Sequence, residues 1–326
     1  MSQRSFARLT LILGSACAFA PIADVEARQA AAGAKPSFVR HEDVIYGRKH
    51  GTALTLDVFK PAGPSNGRGL IYVVSGGWFS AHQAISSAFV EPFTKRGYTV
   101  FAVVHGSQPK FTIPEILDDL HRAVRFIKSR AGEYEIDPDR LGIYGGSAGG
   151  HLSLMQGTAG KAADPAAKDP IDRQSSRVAS VACFYPPTDF FNYGKDGQDA
   201  LGRGILAGFG APFDFQQLND ETKRFDDVVD EAKLQEIGKA IAPYYHVSRD
   251  DAPTLIIHGD ADTLVPIQQA ERIVERMKAE GVKCELVVKP GQGHGWPKLV
   301  DDLEKFADWF DATLAPAKKD ASERKP

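Results

Sequence analysis

Two hydrophobic rhythms divide this chain. Residues 43–46 and 53–59 alternate apolar with polar positions, as half-buried antiparallel strands do, and a turn-rich break from 61 to 69 follows. Downstream the apolar residues come in short continuous runs, at 70–74, 99–104, 141–144, 179–184, 254–258 and 284–288. Such runs suit strands covered on both faces. Helical patterns separate them, at 84–95, 113–130, 151–157, 267–280 and 298–314. Strand and helix in alternation predict an α/β fold: a mostly parallel, doubly wound sheet entered by an antiparallel pair. Ligands of such sheets bind at the carboxyl ends of the strands, so the loops there are where chemistry is expected.

Four stretches break the rhythm. Residues 161–177 form a polar loop containing Pro and Asp. Residues 186–251 are too long and too weakly periodic for a simple connection, which marks them as an inserted cap. Eight aromatics in that insertion, Phe190, Phe191, Tyr193, Phe209, Phe213, Phe215, Tyr244 and Tyr245, suit either stacking on a sugar or aromatic acyl group or a small core of its own. At the start, Arg4 and Arg8 precede an apolar run over 9–20 and then small residues, the layout of a secretory signal peptide. Cleavage after Ala20, after Ala27 or in the Ala-rich stretch beyond all fit. Residues 1–35 are therefore read as signal peptide and linker, 36–315 as one domain, and 316–326 as a disordered tail.

Composition narrows the partners. With 43% apolar and 25% charged residues and a net charge of −3, the chain offers no basic stripe, which argues against nucleic acid and against an anionic membrane surface. The apolar run at 9–20 is too short to span a bilayer. The export signal implies a periplasmic or secreted protein, with a lipid anchor on Cys17 as a lesser alternative because Leu13 sits one position too far upstream for the usual lipobox. Cys183 and Cys284 lie in strand-like runs and read as two buried free thiols.

The densest motif is Gly145-Gly146-Ser147-Ala148-Gly149-Gly150, between a predicted strand and a predicted helix. A serine in G-x-S-x-G at such a corner sits on a strained turn that exposes its hydroxyl, at a backbone cost of roughly 1–3 kcal/mol. A nucleophile of this kind needs a base, an acid to orient the base and donors for an oxyanion. His294, between two glycines after the strand at 284–288, is the candidate base. The loop after 254–258 offers Asp260 and Asp262, of which Asp262 is preferred as the acid. This Asp-x-Asp loop lacks the Gly and distal Glu of a calcium loop, so no metal is predicted. Oxyanion donors are expected from the N–H groups of Gly76, Gly77 and Ala148. Trp78, His105 and His151 are candidates for the substrate pocket, and His82 is a further histidine in a strand-end loop.

With these residues in view, the chain resembles the α/β-hydrolase superfamily over about 43–314, within the bacterial esterase/lipase groups related to hormone-sensitive lipase and to feruloyl and acetylxylan esterases (BD-FAE-like). The run from Ile136 to Leu152 carries most of the likeness, together with Pro114–Asp119 and Ala123-Val124-Arg125-Phe126, where Asp119 would be structural. Two motifs depart from the family. Its H-G-G-G-W appears as Val74-Ser75-Gly76-Gly77-Trp78, and its N-Y-R-L segment as His105-Gly106-Ser107-Gln108.

The resemblance implies an eight-stranded α/β-hydrolase sheet and the chain order Ser147, Asp262, His294 of that fold's catalytic residues. It implies a serine esterase acting on a small-molecule or glycan ester, with no cofactor and with oligomeric state left open. Two alternatives stand beside it: a serine peptidase of the oligopeptidase kind, and a catalytically silent binding protein on the same fold.

Overall fold

The computed structural model describes residues 36–315. The leader-like run with Cys17, and the tail from 316, lie outside the described residues. Eight strands form one sheet in the order β1-β2-β4-β3-β5-β6-β9-β10. They are β1 (Phe38–Lys49), β2 (Thr52–Pro61), β3 (Gly69–Val73), β4 (Thr99–Val104), β5 (Leu141–Gly146), β6 (Ser180–Phe184), β9 (Thr254–Gly259) and β10 (Cys284–Lys289). The pairs β1–β2 and β2–β4 are antiparallel and the remaining pairs parallel. This is the α/β-hydrolase fold.

Alternating side chains of the central strands feed two cores. Ile71, Val73, Phe101, Val103, Ile143, Val181, Cys183 and Ile256 meet α2 (Ile113–Ser129), α4 (Ala148–Thr158) and α6 (Gln268–Ala279) on one face. Leu70, Tyr72, Val100, Tyr144, Phe184 and Ile257 meet α1 (Glu91–Thr94) and α7 (Leu303–Thr313) on the other. A short helix, α3 (Ala131–Tyr134), leads toward β5. Helix α2 starts where Glu115 accepts the Thr112 N–H at 2.8 Å and Pro114 fills the first turn.

Three expectations need correction. Strand β1 is far longer than 43–46, because its register shifts at 41/44 and 45/47, and Asp43 takes φ +56°, which interrupts the alternation that reveals a strand. The helix expected over 84–95 is reduced to two short 3₁₀ turns and the four residues of α1, with Pro92 in its first turn. Cys183 is buried, but Cys284 is only partly so, since β10 is an edge strand with Val288 42% exposed.

Residues 186–251 carry 3₁₀ turns, a small hairpin of β7 (Gln216–Leu218) and β8 (Phe225–Asp227), and α5 (Glu231–Ala240). Phe190, Tyr193, Phe213 and Phe215 are buried in the core that this segment shares with the sheet domain, so half of the eight aromatics serve packing. Among the described residues no helix is long and apolar enough to cross a membrane.

Candidate active site

Ser147 stands between β5 and α4 with φ +54° and ψ −120°, a conformation L residues avoid and one that costs about 1–3 kcal/mol. The turn closes because two of its positions, Gly145 and Gly149, admit nothing larger than glycine. A Cβ on Gly145 would lie 2.6 Å from the Gly149 carbonyl carbon, and one on Gly149 would lie 2.8 Å from the Val73 carbonyl oxygen. The Ser147 N–H donates to the Phe184 carbonyl at 3.0 Å, tying the corner to β6.

The Ser147 hydroxyl lies 2.9 Å from His294 Nε2, and His294 Nδ1 lies 2.8 Å from Asp262 Oδ2. An ionised carboxylate only accepts, so the imidazole proton sits on Nδ1 and Nε2 accepts from the serine. Asp262 Oδ1 takes the N–H groups of Leu264 and Val265, each at 2.9 Å. Burial opposes ionisation of Asp262, yet the His258 and His294 rings and the backbone donors outweigh it and hold the carboxyl well below the ordinary range. His258 Nε2 is 3.5 Å from Asp262 Oδ2 but donates to the Val265 carbonyl at 2.8 Å, so it braces the Asp262 loop.

The loops bearing Asp262 and His294 are docked on each other. The Ala261 N–H donates to the Gln292 carbonyl at 2.9 Å, and Asp260 Oδ1 accepts the Gly291 N–H at 2.6 Å. Asp260 therefore shapes the histidine loop and Asp262 faces the ring. Gly259 lies so close to Gln292 that a Cβ there would overlap its carbonyl oxygen. Tyr185, at the carboxyl end of β6, covers the imidazole with ring centroids 4.4 Å apart. Sequence reasoning missed Tyr185; its position directly after a buried strand was the available signal.

On the other side of Ser147 the expected donors separate. The Gly76 N–H is spent on the Phe79 carbonyl at 3.0 Å, which removes Gly76 from the oxyanion set. Gly77, at φ +55°, lies against the Phe209 ring of the inserted segment. Ala148 opens α4, where first-turn N–H groups have no partner within the helix.

Trp78 and His151 do not line a substrate pocket. Trp78 is 2% exposed, His151 is fully buried, and the Trp78 indole N–H donates to His151 Nδ1 at 3.1 Å. His105 is also buried. Its Nδ1 donates to the Gly106 carbonyl at 2.9 Å and its Nε2 accepts from Ser75 Oγ at 2.9 Å. Asp119 supports the same loop from below, accepting the Gly106 N–H at 2.8 Å and Lys49 Nζ at 2.7 Å. His82 lies 3.2 Å from Asp57. Glu42, Asp57 and His82 converge as metal ligands do, but the Arg40 guanidinium already binds Asp57 at 2.6 Å and supplies the compensating charge.

A BD-FAE family model matches residues 56–277. The chain belongs to the BD-FAE family. A dienelactone hydrolase family model matches 237–324, over the segment that bears Asp262 and His294. "Probable carboxylic ester hydrolase LipM" of Mycobacterium tuberculosis is 28% identical over 240 residues, covering 72% of this chain and 51% of its own. The chain thus spans about half the length of that relative. Among solved structures, a truncated carbohydrate esterase from gut microbiota superposes with a TM-score of 0.70 and 25% identity, covering 86% of this chain and 98% of that one. The native structure of Thermogutta terrifontis esterase 2 gives 0.62 and 25%, covering 87% and 96%.

Proposed function

We propose that this BD-FAE protein hydrolyses carboxylic esters through an acyl-enzyme. Ser147 Oγ attacks the ester carbonyl while His294 Nε2 takes its proton. Asp262 holds the imidazole in the required tautomer and stabilises its charged form. Gly77 and Ala148 present N–H groups to the developing oxyanion. The proton then passes from His294 to the departing alcohol, and a water activated by the same nitrogen releases the acid. Side chains and backbone supply every step, so the scheme calls for no metal or organic cofactor. The observation that carries this reading is the unbroken relay from Ser147 Oγ through His294 to Asp262, at 2.9 and 2.8 Å.

The favoured substrates are acyl groups on carbohydrates, a reading supported by the carbohydrate esterase relative. The apolar run at 9–20 behind Arg4 and Arg8 supports an exported enzyme that meets them outside the cytoplasm. The test is hydrolysis of nitrophenyl acetate, a cinnamoyl sugar and acetylated xylan by the wild type and by Ser147→Ala. The wild type is expected to turn over the nitrophenyl ester and at least one carbohydrate ester, and Ser147→Ala to lose up to about 10⁶ in kcat. Undiminished hydrolysis by Ser147→Ala would refute the reading.

A further inference from the structure

Three parts of the molecule meet on one imidazole. His151 sits in the first turn of α4, four residues after Ser147, and its backbone N–H donates to the Ser147 carbonyl at 2.9 Å. Its side chain turns away from the serine. Nδ1 receives the Trp78 indole N–H at 3.1 Å, and Nε2 lies 2.7 Å from the carbonyl oxygen of Ile241, which closes helix α5 of the inserted segment. The donors fix the tautomer. An indole nitrogen only donates and a carbonyl only accepts, so Nδ1 carries the lone pair and Nε2 the proton. All three residues are buried, at 2%, 0% and 1% exposure for Trp78, His151 and Ile241. Phe190 and Phe213 close the space around the pair, with Phe190 5.5 Å from His151 and Phe213 5.1 Å from Trp78 between ring centroids. Burial pushes the His151 pKa down to about 4, which keeps the ring in the neutral form that this geometry uses.

Trp78 follows Gly77 directly, and both hold positive φ, at +58° and +55°. A tryptophan in that conformation is held by its surroundings, because its own backbone preference opposes it. Its indole has a single hydrogen-bonding group, and that group is on His151. Gly77 and Trp78 are the two central residues of a turn closed by reciprocal Gly76–Phe79 hydrogen bonds at 3.0 and 2.9 Å, so the seating of the indole bears directly on the orientation of the neighbouring Gly77 N–H within that turn.

We propose that His151 is a positioning residue that anchors Trp78, and through it the Gly77 N–H, in the place the oxyanion requires, and that makes this placement depend on the seating of the 186–251 segment through Ile241. The inference rests on the hydrolase reading above. His151 acts through Trp78 and touches neither the serine hydroxyl nor the substrate.

The experiment measures kcat and KM on nitrophenyl acetate, per site titrated to completion with a fluorophosphonate, so that misfolded protein is not counted. His151→Leu is expected to lower kcat about 10- to 100-fold with KM within about threefold, as a misplaced oxyanion donor does. His151→Gln can accept from Trp78 through its oxygen and donate to Ile241 through its nitrogen, and is expected to stay within about fivefold of wild type. Trp78→Phe, which removes the indole N–H, should match His151→Leu, and the double variant should be no worse than the worse single one. If His151→Leu yields no folded protein, Trp78→Phe with His151→Gln carries the test. Wild-type kcat per titrated site in Trp78→Phe or His151→Leu would overturn the inference. So would a His151→Gln variant as impaired as His151→Leu, or losses that multiply in the double variant. These results leave the hydrolase reading standing, whereas a wild type without ester turnover would remove both.

Discussion

On one side of the Ser147 hydroxyl the chain fixes its groups with backbone: Asp262 is held by two N–H donors, and its loop docks on the His294 loop through main-chain hydrogen bonds and the missing side chain of Gly259. On the other side a reciprocal Gly76–Phe79 backbone pair, at 3.0 and 2.9 Å, is supplemented by side chains. Ser75 leans on His105, Trp78 on His151, and Gly77 lies under Phe209 of the inserted segment. Main-chain contacts depend little on which residues supply them, so the first arrangement is expected to tolerate substitution of most of its neighbours. Side-chain contacts tolerate it less, and the two departures from the family pattern, at Ser75 and at His105, meet each other at 2.9 Å on this second side. The Asp262–His294 arrangement thus rests mainly on main chain, while the loop bearing Gly77 also depends on particular side chains.

Breaking the backbone-held side should have the larger effect. Asp262→Asn keeps the shape but favours the wrong imidazole tautomer, and kcat is expected to fall by about 10³–10⁴ with little change in KM. Steady-state kinetics on nitrophenyl acetate measure this, and a loss below tenfold would contradict the orienting role.

Breaking the side-chain-held side should act more on stability. Ser75→Ala leaves the buried His105 Nε2 without its donor, which costs about 1–3 kcal/mol in unfolding free energy and less than about tenfold in kcat. Urea denaturation with unchanged m-value would show it, and an unaltered midpoint would break the claimed contact.

Acid should separate the two sides more gently. Burial pushes His105 and His151 down to about 4, and His121, beneath the 161–177 loop, likewise to about 4. An unfolded histidine titrates near 6.5, so between about pH 6.5 and 4 the unfolded chain binds more protons and the folded state loses ground. The stability these rings confer is complete above about 6.5 and fades as pH falls toward 4, at up to about 1.4 kcal/mol per pH unit for each ring. Asp262, depressed well below the ordinary carboxylate range, has a linkage of the same sign in a lower window: its contribution persists between about pH 6.5 and 4 and is lost only in stronger acid. Melting temperature measured from pH 8 to 4 should decline below 6.5, and a flat profile would contradict the buried, neutral state of these histidines.

The sheet and the strained corner at Ser147 were legible because each rests on local rules. Continuous apolar runs mark buried parallel strands, and a glycine-flanked serine at a strand-to-helix corner marks its own strained turn. What was not legible depended on partners far away in sequence. Nothing near Gly76 reveals that Phe79 consumes its N–H, and nothing near Trp78 or His151 reveals that each is the other's partner across 73 residues. Strand β1 was under-read because its bulges break the two-residue period, and β10 was over-read because an apolar run does not announce that it lies at an edge. The 186–251 segment was visible only as an interruption, since its short elements take their order from packing among buried aromatics such as Phe190 and Phe213.

If His294 activates the Ser147 hydroxyl, a fluorophosphonate will find it. Intact mass spectrometry and peptide mapping after treatment should show one adduct per chain, on Ser147, with labelling slowed at least a hundredfold in His294→Ala. Labelling at another residue, or at an unchanged rate without the imidazole, would mean that His294 does not activate Ser147.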